Sequence, residues 1–77
     1  MTLNELKIDE LALICEINYT EGDSKELCKL MTKGVVPGLE ISKLGEVSTC
    51  AEYKVEGVGP RFVIDNCLGD YIIVVRI

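Results

Sequence analysis

Four thiols are the most chemically suggestive side chains in this 77-residue chain: Cys15, Cys28, Cys50 and Cys67. Structural zinc and iron–sulfur sites usually draw ligands from closely spaced pairs such as Cys-x-x-Cys, because two thiolates on one turn already hold half a tetrahedron. Here 12, 21 and 16 residues intervene between successive cysteines, so the spacing builds no such pair. Cys15 falls on the apolar alternation of a strand and Cys28 sits beside Leu27 on a helix, which makes reduced, buried packing residues the expectation for both. Only a fold that brought three thiols together would restore a metal reading. Histidine is absent, which removes the usual proton shuttle near neutral pH and the usual base partner of a serine or cysteine nucleophile. The carboxylates Glu16, Glu21, Asp23, Glu52 and Glu56 lie on polar faces and around a turn, the pattern of solvated surface rather than of a catalytic pair. "GVGP", residues 57 to 60, lacks the lysine and hydroxyl residue that complete a phosphate loop. Arg61 and Arg76 have the chemistry of an arginine finger, but isolated strand arginines are ordinarily solvated. The expectation is no enzyme, no cofactor and no bound metal.

The elements that must position these residues start at Thr2 and Glu5, spaced as a capping box ahead of a short helical turn over residues 3–6. Leu11, Leu13, Cys15, Ile17 and Tyr19 then alternate with other residues at the period of a strand, which predicts that this odd-numbered set faces the core. A second capping box, Asp23 with Glu26, opens a helix from about Ser24 to Lys33, with Leu27, Leu30 and Met31 at helical spacing. Gly34 follows as its left-handed C-terminal residue, with Lys29 and Lys33 near the negative end of the dipole. Pro37-Gly38 fits the two central positions of a type II turn. "LEISKLG", "AEYKVEG" and "RFVID" then read as short strands, with Leu39 and Ile41, Tyr53 and Val55, and Phe62 and Ile64 pointing inward. Residues 66 to 69 form a helical turn or loop. "YIIVVRI" is apolar on both faces, which predicts a last strand covered on both sides.

Five short antiparallel strands in so small a chain avoid long exposed edges best by closing into a barrel. The predicted fold is mainly β: one domain spanning residues 1–77, a five-stranded SH3-like barrel with one helix inserted after the first strand and a short N-terminal helical turn. The longest apolar run, Tyr71 to Val75, is far too short to span a bilayer, and acidic residues near the start argue against an export signal. A cytoplasmic protein without direct membrane insertion is therefore expected. Thirteen acids against eight bases leave a net charge of −5, which disfavours nucleic acid as a partner.

"TLNELK", "LCKLMTKGVVPGLEI" and "VEGVGPRFVIDNCLGDYIIV" resemble the FeoA family of bacterial ferrous iron transport accessory proteins. Leu30, Met31, Gly34, Val35, Pro37 and Gly38 match the family's helix end, glycine, aliphatic residue and proline-glycine turn. The chain departs at Ser48-Thr49-Cys50, where the family commonly has glycine-proline, at Asp65, where it has arginine, and at Gly69, where it has alanine. The resemblance implies a regulator or assembly factor that docks on a membrane ferrous iron permease with a cytosolic GTP-binding domain. The same barrel also occurs as the C-terminal domain of metal-dependent repressors, so a small metal-responsive domain using cysteine thiolates is the alternative.

The surface expected to meet a partner is the corner of Lys33, Val35, Val36, Pro37 and Gly38. Three consecutive apolar residues in a turn either expose a hydrophobic contact or fold beneath the barrel as a plug, and the residues alone leave both open. A free edge on the last strand would also permit homo-oligomers by strand addition.

Overall fold

In the computed structural model, which describes residues 1–19 and 24–77, the alternating segments pair into one sheet whose strand order is β4-β3-β2-β1-β5, every neighbour antiparallel. The strands are β1 (Leu11–Ile17), β2 (Glu40–Glu46), β3 (Cys50–Val55), β4 (Phe62–Asp65) and β5 (Ile72–Arg76). Helix α1 (Ser24–Met31) is inserted after β1, a 3₁₀ turn (Leu3–Glu5) precedes it, and a four-residue helix α2 (Asn66–Gly69) joins β4 to β5. Inward residues from every strand, among them Ile14, Ile41, Tyr53, Ile64 and Val74, meet Leu27 and Leu30 of α1 and Leu3 and Leu6 in one buried cluster. The sheet must therefore curl around that cluster, which gives the SH3-like barrel that the strand pattern predicts. No helix among the described residues is long and apolar enough to cross a membrane.

The phase of β1 differs from the sequence expectation. Ala12 and Ile14 are buried, Leu11 and Leu13 are half-buried and Cys15 is exposed, so the inward set begins on even positions. Pairing with β5 shifts register between Ile14 and Glu16, a bulge at Cys15, and this returns Ile17 to the core. Both alternating sets in "LALICEI" are mostly apolar, so hydrophobicity does not choose between them, and one extra residue flips every side chain beyond it. A second bulge lies in β2 between Lys43 and Gly45.

Two other local expectations are corrected. Thr2 makes no side-chain cap to the backbone; its hydroxyl donates to Glu5 Oε1 at 3.4 Å, and Glu5 N–H is satisfied instead by the Thr2 carbonyl at 3.1 Å. The outer face of β5 is only partly covered. Ile73 bridges to Thr2 and Val74 N–H donates to the Met1 carbonyl at 2.8 Å, while Val75 and Ile77 remain exposed. The N-terminal residues thus lie along part of the β5 edge that would otherwise be free to pair. The second capping box rests on Asp23, which lies outside the described residues.

Asn4 fastens the 3₁₀ turn to α2, its Nδ2 donating to the Asn66 carbonyl at 2.6 Å and to Asp70 Oδ1 at 2.8 Å. The Asn4 amide occupies the space a Cβ at Gly69 would need. That contact accounts for a glycine where the resembling pattern has alanine. Likewise, the carbonyls of Ser48 and Thr49 accept from Asn66 Nδ2 at 3.2 Å and Asn66 N–H at 2.9 Å, so the loop that lacks glycine-proline instead anchors the start of α2.

Candidate functional site

Helix α1 ends by a mechanism written in its residues. Val35 N–H donates back to the Leu30 carbonyl and Gly34 N–H to the Met31 carbonyl, both at 3.1 Å, with Gly34 at φ 96°. This is the Schellman arrangement, in which only a left-handed residue aims both amides at the orphan carbonyls. Leu30 and Val35, the positions whose apolar side chains commonly accompany it, are both buried in the core cluster. Leu39 N–H reaches the Val36 carbonyl at 3.4 Å across Pro37-Gly38, and Gly38 at φ 95° takes the position a type II turn reserves for positive φ. Two bonds stitch the corner to β1: Gly38 N–H to the Ile14 carbonyl at 2.8 Å and Ile14 N–H to the Leu39 carbonyl at 2.9 Å.

The corner therefore answers both of its readings in part. Val35 is fully buried and is the plug, so it offers no contact to a partner; Val36 is half-buried, and Lys33, Pro37 and Gly38 are exposed. The sharp turn also brings the end of α1 against the β3–β4 connection. A Cβ placed on Gly34 would stand 2.6 Å from Val58 Cγ1, so the glycine is needed for close approach as well as for its φ.

Between these two segments lies a groove of about 320 Å³ lined by Thr32, Lys33, Val58, Pro60, Arg61 and Phe62. Its floor is apolar and its rim carries two cations. The Lys33 ammonium stands 5.9 Å from the centre of the Phe62 ring, within cation–π range. Among the described residues no carboxylate lies within salt-bridge distance of Lys33. Arg61 Nη1 makes a long contact of 3.7 Å to Glu52 Oε1, and its side chain is 67% exposed. Sequence reasoning reached Lys33 but not Val58, Pro60 or Phe62, which come from a segment more than twenty residues away. The signal present was "GVGP" followed by the chain's one phenylalanine, weighed only as a tight connection or an incomplete phosphate loop and as a strand residue.

Among the described residues, the other chemical candidates are buried, paired or dispersed. Lys43 is only 2% exposed on the inward face of β2; its Nζ donates to Glu46 Oε2 at 3.2 Å and to the Asn4 carbonyl at 3.3 Å and lies 5.7 Å from the Tyr53 ring centre. Tyr53 Oη donates to the Leu3 carbonyl at 3.5 Å. Burial pushes the Tyr53 phenol up to about 12, with the nearby Glu46 charge adding to the effect. This cluster braces the 3₁₀ turn from beneath, with Lys43 and Tyr53 buried and Glu46 half exposed. Arg76 is taken up by Glu10, its Nε donating to Glu10 Oε2 at 2.7 Å.

The thiols are placed differently from expectation. Cys15, Cys28 and Cys67 are exposed, Cys50 is half-buried, and all four are free. Cys15 is turned out by the β1 bulge, and Cys28 lies on the outer face of α1, whose inner face presents Leu27 and Leu30. Among the described residues no group of three or more cysteines and carboxylates comes together to hold a metal ion. A second hollow of about 230 Å³, lined in part by Val47, Cys50, Ala51 and Val63, lies where the β2–β3 hairpin meets β4.

No protein-family model matches the sequence, and no curated protein sequence matches it. Among solved structures, the chain is similar to the crystal structure of an iron uptake regulatory protein, FeoA, with a TM-score of 0.82 at 23% sequence identity. The superposition covers 100% of this chain and 97% of that one. The two share one fold from end to end, which agrees with the barrel built up from the residues.

Proposed function

We propose that this chain is a non-catalytic accessory module of ferrous iron uptake, acting in the cytoplasm by docking on the cytosolic part of a ferrous iron permease that has a GTP-binding domain. The observation that carries the reading is the full-length likeness to an iron uptake regulatory protein, in a chain whose helix end and turn carry the residues Leu30, Met31, Gly34, Val35, Pro37 and Gly38. The absence of histidine is consistent with it. The face that docks is the corner together with the groove it forms, since this is where exposed apolar surface coincides with two cations, Lys33 and Arg61, the first of which has no carboxylate in salt-bridge range among the described residues. Val35 supports that face from below rather than touching the partner.

Co-purification with the permease's cytosolic domain tests the proposal. The parent chain is retained, and Val36→Asp, which places a charge on the half-buried flank of the corner, is retained less while its circular dichroism stays that of the parent. Failure of the parent chain to co-purify overturns the reading.

A further inference from the structure

We infer that the groove between the end of α1 and the β3–β4 connection is a binding site for an acidic protein segment that inserts one apolar side chain between Val58 and Phe62. The inference rests on the docking reading above and names the chemistry of what docks. Charge distribution is the first ground. The chain carries a net charge of −5, yet the groove rim holds Lys33 and Arg61. A local cationic rim on an acidic protein selects for an anion and against a cation, while the bulk charge turns away long polyanions such as nucleic acid.

The second ground is the state of those two cations. Lys33 is held over Phe62 and has no carboxylate in salt-bridge range among the described residues, so its charge is positioned but not neutralised. Arg61 is mostly exposed, and its 3.7 Å contact to Glu52 exceeds the length of a charge-assisted hydrogen bond. An incoming carboxylate offers the guanidinium the paired geometry that Glu52 does not. The third ground is size and lining. About 320 Å³ floored by Val58, Pro60 and Phe62 is at the small end of ligand pockets and suits one or two side chains of a larger partner. One phenylalanine does not make the aromatic groove that proline-rich peptides require.

The test is titration of the isotopically labelled full chain with a blocked pentapeptide of two glutamates, leucine and two glutamates, against a control in which lysines replace the glutamates. The glutamate peptide shifts amide signals of residues 32 to 34 and 56 to 62, binds more weakly as salt rises, and loses about tenfold in affinity with Lys33→Glu or Arg61→Glu. Both substituted positions are exposed, and circular dichroism confirms that the variants fold. An equal response to the lysine peptide, shifts centred elsewhere, or no response at about 1 mM, a weak contact by any measure, overturns the inference. Co-purification keeps the two ideas apart. Retention of the permease domain by both the parent and Lys33→Glu overturns the groove and leaves the iron-uptake reading standing. Peptide binding without retention of that domain does the reverse.

Discussion

Replacing Gly34 by alanine tests the corner at its tightest point. Two costs arise at different atoms. The backbone is at φ 96°, where an L residue pays about 1 to 2 kcal/mol relative to glycine. The added methyl meets Val58 at 2.6 Å from Cγ1 and 3.1 Å from Cβ, and overpacking of this kind costs about 1 to 3 kcal/mol. Alanine also stiffens the unfolded chain, which offsets about 0.4 to 1 kcal/mol. The net loss is therefore about 1 to 5 kcal/mol, with its centre at about 3 kcal/mol. At about 0.05 to 0.15 kcal/mol per residue, that is a large share of what a domain of this size holds in reserve. Urea unfolding followed by far-ultraviolet circular dichroism reads it as a lower midpoint at unchanged slope. Val58→Ala removes the two methyl groups and leaves the φ cost untouched. Alone it costs under about 1 kcal/mol, because Val58 is 43% exposed. Combined with Gly34→Ala, it recovers about 1 kcal/mol or more relative to the sum of the single changes. Gly34→Ala within about 0.5 kcal/mol of the parent, or strict additivity with Val58→Ala, would refute the claim that this glycine lets α1 and the β3–β4 connection meet.

Three further outcomes follow from the same contacts. Gly69→Ala collides with the Asn4 amide and lowers the thermal midpoint, and adding Asn4→Ala restores part of it; a neutral Gly69→Ala would show that the two do not compete for space. Glu10 titrates below the ordinary glutamate value of 4.5, held down first by the Lys7 backbone amide and then by Arg76, so its contribution is present above that value and disappears as pH falls through the depressed folded value. Carboxyl carbon shifts give the midpoint directly, Glu10→Gln abolishes the contribution, and a midpoint at or above 4.5 would contradict the clasp. Lys43→Ala opens a void beneath the 3₁₀ turn and strands the Asn4 carbonyl, costing about 2 to 4 kcal/mol by denaturation, whereas Glu46→Gln costs under about 1 kcal/mol because that carboxylate is half exposed. Equal effects of the two would mean that Lys43 acts only through its ion pair.

The residues alone determined whatever depends on neighbours along the chain. The stop after α1, the turn at Pro37-Gly38, the five strands and their order in sequence are set by φ requirements and by runs of alternating apolar residues, so a local pattern suffices to place them. Tertiary structure decided the inward face of β1, because both alternating sets there are apolar and the bulge at Cys15 is set by pairing with β5. It also put Lys43 inside the barrel, where the Asn4 carbonyl, Glu46 and the Tyr53 ring receive its charge from three separate segments. The groove belongs to the same class: Lys33 faces Phe62 only because the sheet curls, and no periodicity in one segment records where a distant one will pass.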